Sequence, residues 1–205
     1  MGTVWRYVVQ MAIPCLFGVF LWGLTHPLRK SYNTRHGVVS GAGREKALFL
    51  LFLFTAGLLA LTLTPAGFWA SILQWRLPQM PPPFQGEINL IPIRQSLKLL
   101  QYYMKNGLWD AILINFPGNI IMFLPFGFFA GLLMDKPRWW KSTLVTFGVS
   151  LFIESFQLFV SRGTDVDDLI LNTLGGLLGH GCFLLLRKVN PGLVRRCGKS
   201  QKGSI

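Results

Sequence analysis

Residues 162–179 run Arg, Gly, Thr, Asp, Val, Asp, Asp, Leu, Ile, Leu, Asn, Thr, Leu, Gly, Gly, Leu, Leu, Gly. An arginine, three aspartates and an asparagine therefore head a segment that turns almost wholly apolar. Three of the chain's eight acidic residues fall within four positions here. Carboxylates entering a hydrophobic span are costly unless something pairs or uses them. Nearby spacing enlarges the set. Glu154 and Gln157 stand three apart, and Asn115 and Asn119 four apart, so each pair shares a helix face. Asp165, Asp168 and Asn172 fall at i, i+3 and i+7, a face running about 10 Å along a helix, while Asp167 is expected to point elsewhere.

The chemistry open to such a set is recognition. A guanidinium from Arg162, or from Arg94 in the preceding loop, suits a phosphate or carboxylate. Asn119, Glu154, Gln157, Asp165, Asp168 and Asn172 would orient that cation or contact sugar and amine groups. Glu154 lies about 9 Å inside the end of its span, and it is expected to pair with Arg162 or to be protonated next to Asp168. A purely structural account competes. Thr164 followed by Asp167 resembles a capping box with Asp in place of Glu, and Asp165 and Asp167 favour the positive end of a helix dipole. That accounts for those two aspartates but not for Glu154, Arg162, Asp168 and Asn172.

No catalytic arrangement is complete: the chain lacks G-x-S-x-G, H-E-x-x-H and a glycine-rich phosphate loop. Cys15, Cys182 and Cys197 have no metal-ligand spacing and read as free thiols. No cofactor is expected; a Mg²⁺ or Ca²⁺ ion at Glu154, Asp165 and Asp168 is the one metal the oxygen-rich set would suit, and arginine-paired carboxylates account for the same residues.

These residues must be held by membrane helices. The chain is 51% hydrophobic and only 14% charged, against about 25% charged in soluble domains. Five stretches approach the roughly 20 apolar residues that a spanning helix needs: Val4–Leu24, Ala47–Leu63, about 113–134, about 142–160 and about 166–186. No small-residue cleavage pattern follows the first, so it is expected to remain as an anchor. Pro117 and Pro125 predict a kink or late start in the third. Five spans put 14 of the 20 lysines and arginines on one side. By the positive-inside rule the N-terminus faces out, the C-terminus faces the cytoplasm, and the polar set lies at the outer end. The +12 net charge is then mostly topological, and a nucleic-acid partner loses its support.

The long outer loop, 64–111, contains Pro81, Pro82 and Pro83, which favour extended structure. Short amphipathic pieces are expected near 68–76 and 92–106. In the second, Ile93, Leu97, Leu100 and Met104 share one face, with Tyr102 and Trp109 suited to headgroup level. Gly175 and Gly179, and Gly127 and Gly131, have the spacing that lets helices approach closely, so spans three and five are expected to meet. His180 reads as a structural histidine. The fold expected is an all-α transmembrane bundle, with residues 1–46 an anchor and basic loop, 47–187 the core and 188–205 a basic tail.

Four blocks resemble the VanZ-like family: Asn89-Leu-Ile-Pro92; Asn119 to Gly127; Glu154-x-x-Gln157; and Arg162 through Asp165, Asp167, Asp168, Asn172, Gly175 and Gly176 to Gly179. Together they cover about residues 55–186. The chain departs at Ile93, where the family usually has an aromatic, and at Thr164, where it usually has a bulky apolar residue. The resemblance implies a multi-pass protein of the bacterial cytoplasmic membrane, linked to teicoplanin and lipoglycopeptide resistance. The leading reading is a non-enzymatic protein whose outward site binds a cell-wall lipid intermediate, a lipid headgroup or the drug. Competing readings are an integral-membrane enzyme acting on a lipid-linked or prenyl-phosphate substrate, and a small transporter. The last needs polar residues continuing along the inner halves of the spans, where the sequence shows little besides His180.

Overall fold

The computed structural model describes residues 3–64, 68, 71, 77, 88–160 and 163–201, with side chains from residue 12 to residue 198 of these. The expected piece at 68–76, the prolines at 81–83 and Arg162 therefore lie outside, or mostly outside, the described residues. The elements run α1 (Thr3–Arg35), β1 (Val38–Ser40), α2 (Ala42–Leu63), β2 (Ile88–Asn89), α3 (Arg94–Lys105), α4 (Trp109–Asn115), α5 (Pro117–Leu133), α6 (Trp139–Phe159), β3 (Thr164–Asp165), α7 (Val166–Val189), α8 (Pro191–Cys197) and β4 (Lys199–Gln201). Among the described residues the architecture is all-α apart from two minimal strand pairs. Among the described residues four stretches are long and apolar enough to cross a membrane: α2, α4 with α5, α6 and α7. Large apolar side chains such as Leu144, Phe152 and Leu185 are well exposed on these helices, as lipid-facing positions must be.

The chain divides into two compact units. The first comprises Met1–Met80, Leu132–Lys136 and Leu186–Ile205. Here the expected span Val4–Leu24 is the front of a longer helix, and the supposed loop from Thr25 is helical to Arg35. Pro27 weakens the turn by removing an amide donor. The Thr25 hydroxyl donates to the Leu21 and Trp22 carbonyls at 2.9 and 3.1 Å, and Arg29 reaches the Trp22 carbonyl at 3.4 Å. Gly18 lets α1 lie against α2, since a Cβ there would sit 2.7 Å from the Ala56 Cβ.

The rest of the loop and the tail are also structured. β1 pairs antiparallel with β4, Val38 opposite Gln201. Pro191 opens α8, and Asn190 caps it by accepting the Leu193 N–H at 3.0 Å. The buried Arg44 guanidinium donates to the carbonyls of Leu133 (2.9 Å) and Cys197 (3.4 Å). The ends of α5 and α8 are thereby tied to the start of α2.

The second unit comprises Pro81–Gly131 and Pro137–Leu185. Pro117 cannot donate to the preceding turn, so the expected third span breaks there, and Pro117 starts α5. Pro125 sits inside α5 without ending it. The expected meeting of α5 and α7 is tight: a Cβ on Gly175 would lie 2.3 Å from the Ile120 carbonyl oxygen, and one on Gly179 1.9 Å from that of Leu124. Phe123, Ile153 and Phe183, each about 1% exposed, fill the space between the helices.

Candidate functional site

The site is built at the α6–α7 turn of the second unit. Asp165 precedes α7 and caps it, its Oδ1 accepting the Asp167 N–H at 2.9 Å. The expected capping box does not form: the cap is Asp165, and its own N–H goes to Glu154 rather than to a side chain of α7. Thr164 does not cap; its hydroxyl donates to the Glu154 carbonyl at 2.9 Å. Thr164 and Asp165 instead extend as β3 and pair in parallel with Ile88 and Asn89 of β2. This pairing brings the Asn89 amide to Asp165 Oδ1, 2.8 Å away. Asn89 also turns its own carbonyl oxygen onto the Ile91 N–H at 3.2 Å.

Asp167 does point away from the Asp165–Asp168–Asn172 face, but toward a partner. One carboxylate oxygen accepts the Ile93 N–H at 2.5 Å, and the other accepts the Ser96 N–H (3.2 Å) and the Ser96 hydroxyl (2.5 Å). A side chain from α7 thus satisfies the open amides at the start of α3, where an anion is also favoured by the helix dipole. Ile93, whose φ is +70°, is held in a region that β-branched residues avoid. Arg94, the first residue of α3, keeps an exposed side chain.

Glu154 is 5% exposed, and its Oε2 accepts the Asp165 N–H at 3.2 Å. Asn119 donates to Asp168 Oδ1 at 2.6 Å, bridging α5 and α7. Among the described residues no lysine or arginine lies within ion-pair distance of Glu154, Asp165, Asp167 or Asp168. Gln157 is half-buried one turn beyond Glu154. Asn115, on the other side of the Pro117 break, leaves the cluster: its amide donates to the Ala111 carbonyl (2.8 Å) and toward the Tyr103 hydroxyl (3.4 Å). No three carboxylate, histidine or cysteine side chains gather into a metal-binding group among the described residues. Glu154 Oε2 and Asp165 Oδ1 accept from N–H donors.

A second feature escaped the sequence reading. Ser142, Thr146, Ser150 and Glu154 recur every four residues on α6, and all are buried. Ser142 Oγ meets His180 Nδ1 at 2.8 Å, Ser150 Oγ accepts from the Asn172 amide at 2.9 Å, and Thr146 packs against Gly176, where a Cβ would come within 2.2 Å of its hydroxyl. The Asn172 Oδ1 is buried without a partner among the described residues. A polar stripe thus runs about 18 Å along the span at 1.5 Å per residue, ending at Glu154. The signal is present in the sequence as i, i+4, i+8, i+12 spacing of Ser142, Thr146, Ser150 and Glu154.

Neither the curated proteins nor the solved structures include a significant match to this chain. The family profile described as VanZ/LLP1 matches residues 48–187, which takes in β2, α3 and the whole polar cluster. The chain is a multi-pass membrane protein with four candidate spans among its described residues, and it belongs to the VanZ/LLP1 family.

Proposed function

We propose that this is a bacterial cell-envelope protein that lowers sensitivity to teicoplanin-type glycopeptides by binding a lipid-linked cell-wall intermediate. The N-terminus faces outward and the C-terminus the cytoplasm, following the distribution of lysine and arginine. The polar end of the α6–α7 hairpin then opens to the outer surface. The observation that supports this best is the fixing of α3 to the acidic cluster by Asp167. That amphipathic helix exposes Leu97, Tyr102 and Met104, which suit the lipid interface. Carboxylates and amides able to contact sugar hydroxyls and amines would then sit beside lipid. Arg94 and Arg162 are the cations available for a diphosphate.

The test is susceptibility. Arg162→Ala and Asp168→Ala should each abolish protection while membrane levels of the protein stay at wild type. Full protection in either variant contradicts the binding role.

A transport reading is favoured by one observation, the buried stripe from Ser142 to Glu154. Polar residues do continue along α6, with His180 and Asn172 facing them from α7. Chains of intramembrane Glu, His and hydroxyl groups serve ion and proton paths elsewhere. Proteoliposomes whose ligand-dependent proton flux is lost in Glu154→Gln would support it; ligand-independent, mutation-insensitive flux would not.

A further inference from the structure

The first unit contains a second polar site, remote in sequence from the acidic cluster. Along α1 the side chains of His26, Lys30, Asn33 and Thr34 line one wall of a cavity of about 370 Å³, which Ser40 and Glu45 close. Glu45 is the only carboxylate in that lining, and both its oxygens are engaged: Oε2 by Arg29 at 3.1 Å and Oε1 by the Ser40 hydroxyl at 2.7 Å. The charge left to the cavity is therefore that of Lys30.

Its level along the helices matters. α1 is apolar through Leu24 and polar beyond, while α2 turns apolar at Ala47. The cavity thus lies where both helices pass from hydrocarbon-like to polar sequence, with Trp22 beneath Arg29 in a cation–π contact at 5.6 Å. Tryptophan and arginine at this transition mark headgroup depth. Further along the same two helices an apolar groove of about 520 Å³ is lined by Phe17, Leu21, Phe52, Ala56, Leu59 and Leu63. Its lining suits an acyl chain.

We infer that the α1–α2 pair binds an anionic phospholipid, its phosphate in the Lys30 cavity and an acyl chain in the apolar groove. The phosphate oxygens take the Lys30 ammonium, the Asn33 amide and a His26 ring N–H, while the Thr34 hydroxyl stays on the Lys30 carbonyl at 2.9 Å. Glu45, held by Arg29 and Ser40, presents no unpaired charge to repel them. Basic pockets at the ends of transmembrane helices recognise acidic headgroups by this combination.

The experiment is native mass spectrometry of the detergent-purified full chain with dioleoyl-phosphatidylglycerol, dioleoyl-phosphatidylcholine or soluble glycerol 3-phosphate. Wild type should retain phosphatidylglycerol well above the other two. Lys30→Glu, and the milder Lys30→Gln, should reduce that retention about fivefold or more, and Lys136→Glu, outside the cavity, should leave it unchanged. Equal retention of phosphatidylglycerol and phosphatidylcholine overturns the site. So does an equal loss in Lys136→Glu, which would mean diffuse surface charge. Glycerol 3-phosphate bound as tightly as phosphatidylglycerol would assign the cavity to a free phosphate ester and overturn the lipid.

Discussion

The Asp167 carboxylate and the Ile93 backbone amide, 74 residues apart in the chain, meet at 2.5 Å. With the two bonds from Ser96, this contact makes the asparagine–proline block and the acidic block parts of one assembly. The 5% exposure of Asp167 means that its removal leaves amides with little water to replace it.

Asp167→Ala should therefore lower stability by about 1–3 kcal/mol, the usual cost of stranding buried donors. Asp167→Asn, which keeps one acceptor, should cost less. Thermal unfolding in detergent measures both, and limited proteolysis should show new cleavage near α3 in the alanine variant. A protein unchanged by Asp167→Ala would contradict the anchoring role.

The α5–α7 approach makes a paired prediction. A Cβ on Gly179 would come within 1.9 Å of the Leu124 carbonyl, while Gly181 has nothing within 4 Å. Gly179→Ala must push the helices apart and should sharply reduce the folded fraction. Gly181→Ala should be neutral or slightly stabilising, since alanine favours helix. Size-exclusion yield after extraction distinguishes them.

How far the sequence revealed this end of the molecule depended on distance along the chain. Acidic residues entering an apolar run marked a hairpin end, and the Gly175–Gly179 spacing marked a close approach; both signals are local. The partner of Asp167 is not local. Nothing in residues 160–170 points to Ile93, and the β2–β3 pairing that brings Asn89 to Asp165 is two residues long. The expected first span ended at Leu24 because the residues beyond it turn polar, whereas α1 continues through Pro27 to Arg35. The capping box fails because Glu154 takes both of its parts, the Thr164 hydroxyl on its carbonyl and the Asp165 N–H on its carboxylate. Arg162, which the sequence made central, lies outside the described residues.

The stripe on α6 allows a test of pairwise coupling. Ser150→Ala removes the partner of the Asn172 amide, whose Oδ1 is already unsatisfied. The single variant should lose about 1–3 kcal/mol, whereas Ser150→Ala combined with Asn172→Leu should recover part of the loss, because an apolar pair leaves no stranded polar group. Strict additivity in the double-mutant cycle would deny that the two residues act together.

Cys197 reports on the first unit. Burial pushes its thiol above the ordinary range, outweighing the opposite pull of the Arg44 guanidinium. A raised pKa means less thiolate at neutral pH, so N-ethylmaleimide should label Cys197 slowly. Arg44→Ala removes that pull and so lowers the thiolate fraction further; labelling that is nonetheless faster must come from exposure as α8 loses the bonds to the Cys197 and Leu133 carbonyls. Rapid labelling in wild type would show that α8 does not shield the thiol.

The central claim is that the polar cluster around Asp168 binds a ligand rather than merely joining helices. The direct measurement is equilibrium binding of a short-chain prenyl-diphosphate disaccharide to purified wild type and Asp168→Asn, with unfolding temperatures recorded in parallel. Asn keeps the shape of the residue but removes its charge beside Asn119. Saturable binding that weakens by about tenfold or more, the range for a hydrogen bond to a charged group, is expected at an unfolding temperature close to wild type. Identical affinity in the two proteins, or no saturable binding to either, would contradict it.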